Sequence, residues 1–255
     1  MNINIQSLVE DLVNTTVQKP VSGTLSGHAA GEPFDKHVFQ FVKKLYANET
    51  FRQYEYLNKI FTENPKVLSI ENRLSLLKPK SVAFLLGRGK AATAGWTPAI
   101  LFDEKQNDTA DILVVRNGFF NIIDVKTSSN EKSGQPPNII SAYKLAKMCA
   151  IMLEEKKFDS HDITYVGLNW KLAGNNLECT AATIRELFKT NPEKLYINWA
   201  AAMQVQFHVI GLDQSYTGTV QQWCQCYLRT FVNQAANRAK TMVEKFVKPF
   251  EHLVK

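Results

Sequence analysis

The stretch DILVVRNGFFNIIDVKT, residues 111–127, constrains the fold more than any other part of the chain. An Asn-Gly pair between two apolar runs predicts a type I′ hairpin, because both central residues of that turn need a positive φ. With Asn117 and Gly118 at the tip, Asp111 lies opposite Asp124 at the open end. Both faces of the hairpin are largely apolar, so we expect it inside a domain, with its charged end opening into a cleft.

The open end of the hairpin holds charges that repel one another unless a ligand binds. Opposed side chains lie about 5 Å apart, where two carboxylates repel by about 3 kcal/mol at an effective dielectric constant of about 20. Lys126 lies on the same strand face as Asp124. Mg²⁺ prefers hard oxygen ligands such as these carboxylates and the main-chain carbonyl of Val125. The pattern predicts metal-dependent phosphodiester hydrolysis, with Lys126 orienting a water or stabilising phosphate charge. A solvated strand end with an ordinary Asp–Lys pair is the alternative.

Composition limits the class of protein. Hydrophobic residues make up 45% of the 255 residues, which is enough for a substantial core, and the net charge of +6 is compatible with a polyanionic partner. The N-terminus shows no signal-peptide pattern and no stretch is apolar enough to cross a membrane, so we expect a cytoplasmic protein with reduced cysteines. No C-x-x-C pair occurs, which argues against structural zinc.

The remaining patterns favour a single α/β domain over residues 1–255. Residues 1–16 suggest a short helix within a peripheral segment of residues 1–20, and residues 205–255 are predicted to supply a strand and a long C-terminal helix. Pro33 is predicted to open a helix with an apolar stripe. Thr219 and Gln222 form a predicted capping box for the last helix, whose aromatic stripe indicates core or a subunit interface.

Two loops are candidates for contact with nucleic acid. GRGKAAT, residues 87–93, does not match a P-loop, because Phe84 and Ala91 stand where that motif needs Gly and Ser or Thr. Arg88 and Lys90 are instead predicted to contact phosphates, unless the loop is only an exposed basic turn. GQPPN, residues 134–138, stiffens two amides, Gln135 and Asn138, of a type that pairs with adenine. An ordinary turn is the alternative there.

Several long blocks resemble the HincII group of type II restriction endonucleases. The resemblance runs in register from about Lys19 to the C-terminus, in the blocks SGTLSGHAAGEPF (22–34), EKQNDTADIL (104–113), DVKT (124–127), PNIISAYKLA (137–146), LYINWAAAMQ (195–204) and KFVKPF (245–250).

The resemblance implies a PD-(D/E)xK restriction-endonuclease-like fold, with a mixed central β-sheet flanked by helices. It implies a bacterial homodimer that cuts double-stranded DNA at the centre of GTYRAC to leave blunt ends. Mg²⁺ is the implied cofactor, with Mn²⁺ as a substitute, and a cognate DNA methyltransferase is the implied functional partner in the host. The catalytic motif falls on Asp111, Asp124 and Lys126, with metal ligands from Asp111, Asp124 and Val125. Matching positions imply DNA contacts by Lys90, Gln106, Asn107, Thr127, Gln135, Asn138, Tyr196 and Asn198.

Some positions depart from the family pattern. Ala110 replaces the proline of the motif name, and Gly134 and Pro136 change the backbone of the recognition loop, which bears on the recognised hexamer. Glu32 is predicted either to assist the metal site from a distance or to favour a helix dipole. A structure-selective repair nuclease, a non-cleaving DNA-binding protein and a scaffold protein are the alternative functions.

Overall fold

A computed structural model describes residues 3–20, 28–63, 76–87, 108–130, 136–200 and 203–254. In these residues the helices are α1 (Ser7–Leu12), α2 (His28–Leu45), α3 (Gln53–Glu63), α4 (Lys80–Leu86), α5 (Ala142–Glu155) and α6 (Val220–Met242). The strands are β1 (Thr16–Gln18), β2 (Thr50–Phe51), β3 (Ile112–Arg116), β4 (Phe119–Ser129), β5 (Asn138–Ser141), β6 (His161–Ala173), β7 (Asn176–Glu186), β8 (Tyr196–Asn198) and β9 (Gln204–Gln206). None of the helices among these residues is long and apolar enough to cross a membrane.

A six-stranded mixed sheet organises the molecule. Its order is β1-β7-β6-β4-β3-β2, in which β4 and β6 are parallel and the other neighbours are antiparallel. The chain between the parallel strands includes β5 and α5, as a parallel connection requires a long crossover. A second sheet has the order β5-β9-β8. This mixed sheet flanked by helices confirms the predicted fold class.

The predicted hairpin supplies two adjacent strands of the large sheet, β4 and β3. Asn117 and Gly118 have φ values of 50° and 77°, as a type I′ turn requires. Arg116 pairs with Phe119, and the register continues to the pair of Ile112 and Ile123.

Apolar cores cover both faces of this hairpin. Leu113, Phe120 and Ile122 pack with helices α3 to α6 on one face. Ile112, Val114 and Ile123 pack with α1 and α2 on the other face. Because both faces are buried, the strands carry few polar residues except at their ends.

Of the two helix starts predicted from sequence, one differs in the structure and one is confirmed. Helix α2 begins at His28, so the prediction that Pro33 opens it is wrong. One missing main-chain hydrogen bond does not end this helix, since Phe34 and Val38 are fully buried beyond the proline. Thr219 and Gln222 do form the predicted capping box of α6.

The aromatic stripe of α6 divides between two environments. Trp223 and Tyr227 are fully buried, whereas Met242 and Phe246 are exposed. The stripe is therefore core in its first turns and leaves an apolar surface at its C-terminal end.

Gly167 of β6 provides a test of the packing between the sheet and the chain that follows β9. A methyl group added there would lie 2.4 Å from Cβ of Val209. We expect Gly167→Ala to lower the free energy of unfolding by about 1–3 kcal/mol, because overpacking forces the neighbouring chain to move. Urea unfolding measures the loss. Gly211→Ala is the control, since a Cβ there meets no atom within 4 Å. Equal stabilities for the two variants would contradict the prediction.

Candidate active site

The open end of the hairpin lies in a cleft of about 960 Å³. Asp111 comes directly before β3, and Asp124 and Lys126 lie on β4. The cleft wall also includes residues from α2, from the start of α3 and from β5. The structure therefore brings together the three residues that sequence reasoning predicted as catalytic.

The two carboxylates have different partners. The Asp111 carboxylate accepts a hydrogen bond of 2.7 Å from the main-chain N–H of Val125. The Lys126 ammonium lies 2.8 Å from Oδ1 of Asp124. The ladder between β3 and β4 ends at Ile112 and Ile123, so Asp111 lies one residue beyond it. Its side chain can therefore contact the next residues of β4 without the constraint of strand pairing.

Burial and charge act on the protonation of Asp111. Burial, and after it the charge of Asp124, raise the pKa of Asp111 from the ordinary 3.8 to a net value of about 7. Lys126 and the N–H of Val125 oppose the rise. Near neutral pH the site without a metal therefore disfavours two ionised carboxylates, and a bound cation would relieve their repulsion.

Lys126 keeps its proton in this cluster. Burial lowers the pKa of its ammonium, but Asp124 and Asp111 raise it more, so the net shift is upward from 10.5. Lys126 is therefore a cation across the neutral pH range. In this protonated form it can donate hydrogen bonds to an oxyanion.

The donor set fits a hard divalent cation. Two carboxylates converge, and in a strand the N–H and C=O of one residue point to the same side. Because the N–H of Val125 points to Asp111, its carbonyl also faces the side where the β3 ladder has ended. Carboxylate and carbonyl oxygens are ligands that Mg²⁺ accepts, with water and phosphate oxygens filling the other positions.

The small sheet holds three residues that were predicted to contact DNA. The side-chain amide of Gln206 in β9 donates a hydrogen bond of 2.8 Å to Oδ1 of Asn138. It accepts a hydrogen bond of 3.0 Å from Nδ2 of Asn198. Tyr196 pairs with Gln206 along the strands, and its side chain is 60% exposed. Thr127 lines the cleft that holds Asp111, Asp124 and Lys126. The structure thus joins Asn138 and Asn198 through one buried amide, next to an exposed aromatic ring.

The chain matches a known family along almost its whole length. The family model described as restriction endonuclease HincII covers residues 8–254. This chain belongs to the HincII restriction endonuclease family. Type II restriction enzyme HindII of Haemophilus influenzae strain Rd is 52% identical over 249 residues, which cover 98% of this chain and 96% of that enzyme. Type II restriction enzyme HincII of Haemophilus influenzae is 51% identical over 249 residues, which cover 98% of this chain and 96% of that enzyme.

Membership in the HincII family confirms the predicted resemblance and the enzyme class. The protein is a type II site-specific deoxyribonuclease, and enzymes of this class act on double-stranded DNA. The family is generally metal-dependent, in agreement with the donor set of the cleft.

The other predicted residues of this HincII-family chain lie either in the cleft wall or outside the described residues. Glu32 lies in the cleft wall, and its carboxylate is 2.6 Å from the ammonium of Lys36 one turn along α2. Glu32 therefore has a local ion-pair partner on the exposed face of α2. The remaining predicted DNA contacts lie outside the described residues: Arg88, Lys90, Gln106, Asn107 and Gln135.

Sequence reasoning missed several polar residues of this HincII-family cleft. Arg52, Gln53 and Asp35 line it, and so does Lys144, which donates to the hydroxyl of Thr109. Lys144 lies in the block PNIISAYKLA, one of those that carry the family resemblance, and could have been noticed there. Arg52 and Gln53 follow a two-residue strand and match no motif, so no local signal marks them.

Proposed function

We propose that this chain is a Mg²⁺-dependent restriction endonuclease that cuts double-stranded DNA at GTYRAC, at the centre, to leave blunt ends. The observation that supports it most is the convergence of Asp111, Asp124 and Lys126 in the cleft of a HincII-family chain. Mn²⁺ is expected to replace Mg²⁺, since it accepts the same oxygen ligands.

The residues of the cleft have separable roles in this proposal. Asp111, Asp124 and the carbonyl of Val125 would hold the metal. Bound there, Mg²⁺ supplies positive charge to the phosphate and lowers the pKa of a water. Lys126, which stays protonated, donates to a phosphate oxygen and stabilises the charge that develops during attack. Asp111 and Asp124 fix the orientation of the groups around the phosphate.

The other predicted residues are proposed to bind and recognise the DNA. Asn138, Tyr196 and Asn198 share the small sheet, whose amides suit contacts with base edges. Thr127 is proposed to contact the DNA within the cleft. Arg88, Lys90, Gln106, Asn107 and Gln135 complete the proposed interface, with the cations on phosphates and the amides on bases.

A homodimer is part of the proposal. Each subunit would recognise one half of the palindrome, because two-fold symmetry in the protein matches two-fold symmetry in the site. The exposed apolar side chains at the C-terminal end, such as Met242 and Phe246, are compatible with a contact between copies. The proposed setting is a bacterial cytoplasm, where a cognate methyltransferase protects the host sites.

Digestion of unmethylated phage DNA tests the proposal. With Mg²⁺ or Mn²⁺ we expect discrete blunt fragments whose ends read GTY and RAC, and with EDTA we expect intact DNA. Sequencing the fragment ends measures both the site and the cut position. Discrete fragments with other ends would refute the hexamer but keep the enzyme class. Cleavage without sequence preference would favour a repair nuclease, and binding without cleavage in either metal would favour a DNA-binding protein.

A further inference from the structure

Side chains rather than strand pairing hold the segment that delivers Asp111 to the cleft. The pairing of β2 with β3 ends at Phe51 and Leu113, and that of β3 with β4 ends at Ile112. Asp111 therefore lies beyond both ladders. The residues that follow Phe51 in the chain, Arg52 and Gln53, make the next contacts along this edge.

Arg52 contacts the main chain of Asp111 directly. Its Nη1 donates two hydrogen bonds of 2.9 Å, one to the Asp111 carbonyl and one to Oδ1 of Asp35. The Arg52 side chain is only 12% exposed, and its guanidinium lies over the ring of Phe39 at 4.3 Å. A rigid, planar guanidinium with a carboxylate partner and an aromatic base has little freedom to move, so it can hold the carbonyl in one place.

Gln53 holds the residues just before Asp111. Its side-chain oxygen accepts 3.1 Å hydrogen bonds from the N–H groups of both Thr109 and Ala110. Its side-chain nitrogen donates a hydrogen bond of 2.9 Å to the carbonyl of Leu86 and one of 3.2 Å to Oδ1 of Asp108. The amide thus uses two donors and two acceptor sites in a buried setting, which fixes the chain on the approach to the cleft.

We propose that Arg52 is a positioning residue for cleavage, which acts with Gln53 to set where the Asp111 carboxylate stands relative to Asp124 and Lys126. The inference rests on the proposed function of this site. Asp35 neutralises the Arg52 charge at 2.8 Å, so Arg52 acts by geometry rather than by its charge. A displacement of about 1 Å at a reacting group can lower a rate about 100-fold.

The test compares Arg52→Met with Arg116→Met. Arg116 lies at the other end of β3, with Glu49 at 2.8 Å and the ring of Tyr46 at 5.2 Å, so it has the same kinds of partner far from the cleft. For each variant we would measure kcat and KM, the Mg²⁺ concentration for half-maximal rate, and the unfolding temperature. Fluorescence anisotropy would measure the affinity for a GTYRAC duplex with and without Ca²⁺, which gives a readout that needs no cleavage.

Arg52→Met should lower kcat about 10- to 100-fold, with KM and metal-free DNA affinity within about 2-fold of the wild type. It should raise the half-maximal Mg²⁺ concentration and reduce the gain in affinity on adding Ca²⁺. The unfolding temperature of Arg116→Met should fall by about as much as that of Arg52→Met. Its kcat should stay within about 2-fold of the wild type. A wild-type kcat for Arg52→Met, or an equal loss of kcat in both variants, would overturn the proposal.

Asp35→Asn decides the matter if Arg52→Met does not fold. The asparagine keeps an oxygen acceptor for Arg52 but removes its charge partner, so a smaller loss of kcat, about 3- to 10-fold, is expected with the same change in metal dependence. Wild-type kcat and metal dependence in Asp35→Asn would overturn the positioning role. A wild-type protein that cuts no DNA would instead refute the proposed function, so the two failures are distinguishable.

Discussion

Replacing Asp124 by asparagine should lower the cleavage rate by at least about 1000-fold. The neutral amide has the size of the carboxylate, but the proposed metal site loses a charged ligand. Binding of the duplex without metal should stay within a few-fold of the wild type, since Asp124 is negatively charged and makes no attractive contact with a phosphate. Single-turnover cleavage and anisotropy measure the two effects. A variant that cuts at the wild-type rate would refute the assignment of the catalytic centre.

The pH dependence of stability tests the electrostatic coupling between Asp111 and Asp124. The pKa of Asp111 is about 7 in the folded protein against 3.8 ordinarily, so the folded state binds this proton more tightly than the unfolded state. The wild type without metal should therefore lose stability as pH rises from about 4 through 7. In Asp124→Asn that loss should be smaller, because the neighbouring charge is gone. Thermal unfolding in EDTA between pH 5 and 8 measures the difference.

Replacing Lys126 by methionine should lower kcat about 100- to 1000-fold, because the phosphate loses a partly buried cationic donor. Lys126→Arg should recover part of the rate, since it keeps the charge but changes the donor geometry. The dependence of the remaining rate on pH identifies the role of Lys126. The upward-shifted pKa of Lys126 makes it a donor, so Lys126→Met should keep the wild-type pH profile at a lower level. A profile that loses its rise with pH would show that Lys126 acts as the base.

The hairpin and its charged end could be predicted from sequence because the signals are local. The Asn117-Gly118 turn fixes the register, and the register alone places Asp111 near Asp124. The same is true of the capping box at Thr219, whose residues are three apart. Each of these patterns is complete within a few residues, so its geometry follows from backbone rules.

The rest of the cleft depends on contacts between distant parts of the chain. Arg52 meets Asp111 across 59 positions, and Gln206 meets Asn138 across 68. A strand as short as β8 or β2 has no periodicity to detect, and α2 starts at His28, five residues before the proline that was predicted to open it. Tertiary packing decided these features, and no local pattern encodes it.

The parallel pairing of β4 with β6 bears on when the enzyme becomes active during synthesis. The strand with Asp124 and Lys126 has its parallel partner only at residues 161–173, and that partner pairs in turn with β7, which ends at Glu186. A ribosome-bound chain that has passed Lys126 still lacks both strands. At about 5–20 residues per second, several seconds of translation separate the proposed catalytic residues from the strands that frame them. We therefore expect a nascent chain to gain cleavage activity only after most of its sequence has been made.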